Sequence, residues 1–350
     1  FIFARQLFGA AAGWLVFALA LFDPNLLAHS RFITTDLGLT CFLFLATWQL
    51  WRFLDKRGWY HVVLSGLFAG LAISAKYTGL LFWPSALLIL ALYPTRDEIS
   101  ATVKERLLAL VITGLMAITT LWAVYGFNVG TVDMLPMAIP VPAPSYWENL
   151  YNTFFRITGL VGARLDFFMG EASNEGWRSY FPVALGAKTP LPTLLLSLTG
   201  LGLLLVNGQW RRQVMLWALP LLFLLLGLSG ILTIGYRHML PAIPFLLMWA
   251  GNTMAWVLSL TGHRRTVGLA AQALMLAWLA VAALRIYPHY ESYFNETAGD
   301  WTNWSNILVD SNLDWGQDLP ALQSVMDERG IERVNLAYFG KAIPEHYGVR

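Results

Sequence analysis

The sequence predicts an all-α polytopic membrane protein, and three observations carry that expectation. Of 350 residues, 57% are hydrophobic and only 13% charged, with a mean hydropathy of +0.55; a soluble domain needs roughly 25% charged residues to solvate its surface. Nine apolar runs approach the length of about 20 residues that a helix needs to cross a bilayer core of about 30 Å. Lysines and arginines gather in short turns that fall on one side once the nine runs are counted. The same composition excludes a water-soluble globule, a disordered chain, a collagen-like repeat and a coiled coil. A formal net charge of +2 gives no reason to expect nucleic acid as a partner. Cys41 is the single cysteine, so no intrachain disulfide is possible.

The runs lie near 6–22, 34–54, 60–75, 79–93, 107–126, 190–207, 214–234, 241–260 and 267–287. The third and fourth are short and separated only by Ala75-Lys76-Tyr77-Thr78, a pattern that also fits a re-entrant pair. Arg52, Lys56 and Arg57 form one basic turn, Arg96, Lys104 and Arg106 a second, Arg211 and Arg212 a third, Arg264 and Arg265 a fourth. With nine spans all four face the cytoplasm. The opposite side then receives the outer loops 22–33, 127–189 and 235–240 and the tail from Tyr287 to Arg350. Phe1 follows no initiator Met and precedes no charged leader region, so the chain reads as a fragment, and its C-terminus also reads as cut.

Within the outer loops, Pro136, Pro140, Pro142 and Pro144 predict an extended stretch over 131–146. Trp147, Leu150, Tyr151, Phe154, Phe155 and Val161 then recur at helical spacing opposite Glu148, Asn149, Asn152 and Arg156. That pattern suits a helix in the membrane interface or one packed on the protein's own outer surface. Thr189 and Pro190 read as the N-cap and first position of the next helix. The tail 288–350 gains acids and loses apolar runs, and is expected to form a small soluble mixed α/β unit. It should contain a helix near 319–329, stopped by Gly330, and a strand at 333–339.

Four polar clusters could carry chemistry. Asp23 to Asp36 places two carboxylates, His29 and Arg31 at the outer end of two spans. Asp23 could equally cap its loop, and Thr34, Thr35 and Asp36 the next helix, where a carboxylate suits the dipole. Phe168 to Phe181 mixes Glu171 and other acids with aromatics, a composition suited to sugars or to plain interface anchoring, and leads to Lys188 at a membrane boundary, which suits a phosphate. Arg237 beside His238 is placed to hold an anionic head group through charge-assisted hydrogen bonds, or to snorkel to ordinary lipid phosphates. Asp310 to Leu319 resembles half of a calcium loop without the bidentate Glu at its twelfth position, so that metal site is discounted. No zinc spacing, P-loop, dinucleotide fingerprint or Ser/His/Asp signature is present.

Taken in order, Pro24-Asn25-Leu26-Leu27-Ala28-His29-Ser30 through Thr34-Thr35-Asp36, Gly70-Leu71-Ala72-Ile73-Ser74-Ala75-Lys76, Lys188-Thr189-Pro190-Leu191-Pro192, Tyr236-Arg237-His238-Met239-Leu240-Pro241 and Asp310-Ser311-Asn312-Leu313-Asp314-Trp315-Gly316-Gln317-Asp318-Leu319 resemble bacterial members of glycosyltransferase family thirty-nine. These are relatives of the dolichyl-phosphate-mannose protein mannosyltransferases within the GT-C superfamily. The resemblance implies an enzyme of the bacterial inner (plasma) membrane. It would move a sugar, mannose by family default, from a polyprenyl-phosphate carrier to a protein, glycan or lipid acceptor on the extracytoplasmic face. It also implies that the main catalytic acid lies in an outer loop upstream of Phe1, so that the chain shown lacks it. On this reading Asp36 is a supporting, acceptor-orienting acid, and Lys188, Arg237 and His238 contact the carrier phosphate. His29, Arg31 and Glu171 line the sugar pocket, while Asp314 and Gln317, with Trp315, bind acceptor or hold the tail to the membrane part. Such enzymes divide on metal use, and the sequence names no cofactor. The competing reading is a non-catalytic polyprenyl-phosphate-binding or transport protein of the envelope. A secondary transporter fits less well, because the spans are almost free of ionisable residues and no internal repeat is visible.

Overall fold

The computed structural model describes every residue except 95–100, 133–138, 158–164, 231–232 and 339. Arg96, Pro136, Val161 and Phe339 therefore lie outside the described residues, as does the side chain of Arg156. The protein is mostly helical: α1 Ile2–Phe8, α2 Ala10–Leu21, α3 Pro24–Arg31, α4 Asp36–Lys56, α5 Trp59–Ala75, α6 Phe82–Leu92, α7 Val103–Val124, α8 Pro144–Ile157, α9 Tyr180–Lys188, α10 Leu191–Val206, α11 Val214–Leu228, α12 Ile243–Ser259, α13 Gly262–Ile286, α14 Trp304–Ile307 and α15 Leu319–Arg329. Two short antiparallel pairs complete it, β1 Val129–Gly130 with β2 Val141–Pro142, and β3 Asp166–Phe168 with β4 Glu171–Ser173.

Helix occupies most of each of the nine apolar runs among the described residues. Among the described residues, four helices are long and apolar enough to cross a membrane, rising to six if each of two bent pairs is one span. The bent pairs are α2 with α3, at 58°, and α9 with α10, at 114°. The segments Trp59–Ala75, Tyr77–Leu92 and Val214–Leu228 are apolar but shorter. Leu107, Val111, Leu115 and Ile118 leave one stripe of α7 apolar and exposed, while Ala109, Thr113, Ala117 and Thr120 bury the other. A helix that is apolar on its exposed side is built to face lipid.

Close packing without a hydrophobic driving force requires small residues where backbones approach. Gly66 and Gly70, one turn apart on α5, meet that need against α7. A Cβ on Gly66 would stand 2.7 Å from the Thr113 carbonyl oxygen, and one on Gly70 2.6 Å from that of Ala117. Chain direction then sorts the ends of the bundle. Arg57, in the left-handed conformation just after α4, pairs with Glu105 in the first turn of α7, joining two of the basic turns at one end. Asp36, at the start of α4, and Lys76, just after α5, lie at the other.

Several expectations are corrected. Residues 22–33 are not a plain loop: Asp23 accepts from Leu26 N at 2.9 Å as the N-cap, and Pro24 occupies the first turn of α3. The segment 127–189, also expected as a loop, contains α8 and α9, and 236–242 is a 3-10 helix that runs into α12. Thr189 does not cap α10; its hydroxyl is 2.9 Å from the Tyr236 hydroxyl, and Pro190 takes the cap position. Tyr146, with 1% exposure, packs the start of α8 against Tyr77 and Tyr125, whereas Tyr151 and Phe154 remain exposed. In the tail, α15 ends at Gly330 as expected, with φ 62° at that glycine. Residues 333–338 are not a strand, because Val334 N bonds to the Arg350 carbonyl and no partner strand runs beside it. The tail is therefore not an α/β unit among the described residues. Its first half packs on the helix bundle, while Leu319, Met326 and Val349 form a small cluster of their own.

Candidate functional site

The site forms where the ends of α3, α4, α5 and α9 meet the 3-10 helix Tyr236–Ala242 and the tail. Helix α3 buries Asn25, Ala28 and His29 on one face, three and four residues apart. Asn25 Nδ2 donates to the Lys188 carbonyl at 2.8 Å, fixing α3 to the end of α9. Arg31, at the exposed rim, donates from Nη1 to the Pro288 carbonyl at 2.7 Å and so ties α3 to the start of the tail.

Asp36 is 2% exposed and accepts from Lys76 Nζ at 2.5 Å through Oδ1. Its Oδ2 is 4.0 Å from Arg237 Nη1. Lys76 Nζ also lies 3.3 Å from His238 Nδ1. One buried carboxylate thus holds two cations that would otherwise repel each other. Gly235, at φ 75°, turns the chain into Arg237, and a Cβ there would come within 2.4 Å of the Ser311 hydroxyl. The Arg237 guanidinium lies 4.5 Å over the Trp315 ring, which in turn sits 5.5 Å from Phe32. Asp314 and Gln317 shape the turn that presents this indole: Asp314 Oδ1 accepts from Gly316 N, and Gln317 Oε1 from Trp315 N, each at 2.6 Å.

Behind this pair, Lys188 is buried to 1% exposure and its Nζ donates to the Glu291 carbonyl at 2.7 Å and to the Asn312 carbonyl. Its ammonium also lies 4.9 Å over the Phe294 ring. Lys188 is therefore a clamp between the bundle and the tail. The Glu291 carboxylate stands 3.8 Å from His29 Nε2, and its burial pushes the carboxyl up to about 7, against the downward pull of Lys188 and Arg237. Asn312 completes the seam, with Oδ1 accepting from Tyr236 N at 2.8 Å and Nδ2 donating to the Tyr180 hydroxyl at 3.0 Å.

Six buried polar atoms here have no hydrogen-bond partner among the described residues: Asp23 Oδ2, His29 Nδ1, Arg237 Nε, Glu291 Oε2, Ser311 Oγ and Trp315 Nε1. Orphaned polar atoms are costly inside a protein, and their concentration at one place marks where a polar ligand or water completes the set. Among the described residues no group of three or more His, Cys, Asp or Glu side chains is arranged to hold a metal ion.

The structure therefore brings together His29, Asp36, Lys188, Arg237 and His238, with Asp314 and Gln317 acting through Trp315 and Arg31 at the rim. Glu171 is not among them: it stands exposed on the β3–β4 hairpin. The aromatic cluster around it serves instead as a buttress, with the Tyr180 hydroxyl accepting from Gly235 N at 2.8 Å. Lys76, Glu291 and Asn25 join the site without being among the candidates the sequence singles out. Lys76 has a signal, since it is a lone lysine at the end of an apolar run opposite the end where the basic turns gather. Glu291 has none, because only the fold of the tail puts it beside His29.

Residues 1–127, covering α1 to α7, match the family model described as dolichyl-phosphate-mannose-protein mannosyltransferase. His29, Arg31, Asp36 and Lys76 fall inside that match, whereas Lys188, Arg237, Glu291 and Trp315 fall after it. No curated protein and no solved structure gives a match. The likeness seen in the motifs is thus matched at the level of a family over the first 127 residues: this part of the chain is similar to the dolichyl-phosphate-mannose-protein mannosyltransferases, a likeness that points to a membrane glycosyltransferase of the GT-C type.

Proposed function

We propose that the protein transfers a sugar from a polyprenyl-phosphate carrier to a hydroxyl acceptor, at a site on the extracytoplasmic side of the plasma membrane. The observation that carries this reading is the convergence of Lys76 and Arg237 on the buried Asp36, with Arg237 Nε unpaired beside the Trp315 indole. Two cations on a shared counter-ion, at a membrane boundary, suit a phosphate whose negative charge grows as the sugar departs. The acceptor oxygen attacks the anomeric carbon and loses its proton to a carboxylate. The bond from that carbon to the carrier phosphate breaks, and its electron pair leaves on the phosphate. Asp36 positions the two cations, and Trp315 supplies an apolar face and an unpaired N–H beside the reacting sugar. The outward orientation is supported by the basic turns joined at the opposite end through Arg57 and Glu105. The span count is proposed as nine, with the shorter helices buried among the others. A hexose such as mannose is the proposed sugar, and a protein, glycan or lipid the acceptor.

The test uses the full-length protein in lipid nanodiscs with polyprenyl-phosphate-linked radiolabelled sugars. Wild type should release carrier phosphate, Arg237→Ala should lose about 100-fold in turnover, and Arg237→Lys should recover only part, because the planar fork is lost. Carrier binding with no turnover of any donor by the wild type would move the reading to a carrier-binding or transport protein.

A further inference from the structure

A second feature of the outer end lies beside the charged cluster. A cavity of about 870 Å³ opens between the last turn of α13 and the tail, within the volume range of roughly 300–1,000 Å³ usual for ligand sites. Its apolar wall is aromatic: the Phe294 and Trp304 rings stack at 5.3 Å and 21°, and Trp301 adds an indole that is 71% exposed. Its ionisable lining is the carboxylates of Glu296, Asp300 and Asp318 against the guanidinium of Arg285 and the imidazole of His289, whose Nδ1 stands 3.8 Å from Asp318 Oδ1. Tyr293 lines the same cavity at 4% exposure, and its buried hydroxyl has no hydrogen-bond partner among the described residues.

This lining selects a chemistry. Excess carboxylate repels a phosphate, so the carrier's head group is not the ligand. Carboxylates accept hydrogen bonds and have none to donate, which suits a ligand rich in hydroxyls. The exposed Trp301 indole, beside the stacked Phe294 and Trp304 rings, offers a flat apolar surface to the C–H side of a ring. A neutral sugar ring satisfies all three. The cavity also adjoins the charged cluster. Ser292 and Leu313 line it and are joined by a 2.7 Å hydrogen bond, and their chain neighbours Glu291 and Asn312 belong to the cluster. Burial, and after it the carboxylates of Glu296 and Asp23, hold the Tyr293 phenol above its ordinary pKa.

We infer that this cavity seats a neutral sugar ring of the glycosyl acceptor, so that the acceptor is a glycan or glycoconjugate. Naming it the acceptor rests on the transferase reading, whereas binding of a neutral sugar does not. The experiment titrates methyl hexosides and methyl pentosides, with no donor present, onto the full-length protein in nanodiscs and follows saturation-transfer NMR. At least one glycoside should bind saturably. Trp301→Ala and Asp300→Asn, both at exposed positions, should each weaken it about tenfold, a change of about 1.4 kcal/mol. Arg237→Ala should leave that affinity within about twofold, because Arg237 does not line the cavity. The inference is overturned if no glycoside saturates, if Arg237→Ala abolishes binding as fully as Trp301→Ala does, or if phospholipid head groups or a neutral peptide displace the sugar. Sugar binding without turnover of any donor would instead sink the transferase reading and leave the cavity's ligand as stated.

Discussion

Replacing Asp36 by Asn removes the one negative charge between Lys76 and Arg237. Two unit charges 4 Å apart interact by about 4 kcal/mol at an effective dielectric constant near 20, and Asp36 faces Lys76 at 2.5 Å and Arg237 at 4.0 Å. Removing one member of a buried pair typically costs about 3–5 kcal/mol, because the survivor is left desolvated and unpaired. Lys76 and Arg237 keep 22% and 20% side-chain exposure, so water recovers part of the loss. The lower end, about 3 kcal/mol, is therefore expected for Asp36→Asn. The assay is equilibrium unfolding in mixed micelles for Asp36→Asn, Lys76→Met and the double variant. If the ion pair is what holds this corner, the double variant will be more stable than the sum of the singles predicts, by about 2 kcal/mol. Additivity within about 0.5 kcal/mol refutes the argument, since the two side chains would then not be sensing each other.

Three further outcomes follow from the same geometry. Lys188→Met leaves the Glu291 and Asn312 carbonyls without their donor, so amides of 288–318 should exchange hydrogen at least about tenfold faster, as expected for a loss of about 1.5–3 kcal/mol at a charged hydrogen bond; unchanged protection would show that Lys188 is not the clamp. Glu291, held near 7 in the folded state against an ordinary 4.5, binds its proton more tightly when folded. Its contribution is complete below about pH 4.5 and is lost as pH rises through about 7, so Glu291→Gln should flatten the fall in stability across that window, and an unaltered slope in unfolding midpoints contradicts the assignment. Gly70→Val places a side chain against the Ala117 carbonyl and Thr120 and should destabilise the α5–α7 contact by about 1–3 kcal/mol; wild-type stability in the same unfolding assay rules that contact out.

The sequence determined this protein's class and the positions of its long helices, because the need to satisfy every backbone group in lipid leaves a plain compositional trace. It also announced its local punctuation: Asp23-Pro24 starts α3 and Gly330 ends α15, each through chemistry confined to a few neighbours. Reading 22–33 as a loop gave too little weight to that start signal. The site was legible only in pieces. Asp36, Arg237 and His29 stood out because ionisable groups near a bilayer are expensive. Their partners were not readable, since Lys76 is 40 residues from Asp36 and Glu291 is 103 from Lys188. The tertiary structure alone decided that Lys188 clamps the tail, that Asp314 and Gln317 serve Trp315, and that Glu171 stands apart. The physical reason is that such roles depend on which groups share a desolvated space, and nothing in local spacing encodes a meeting between α3 and a segment more than 250 residues away.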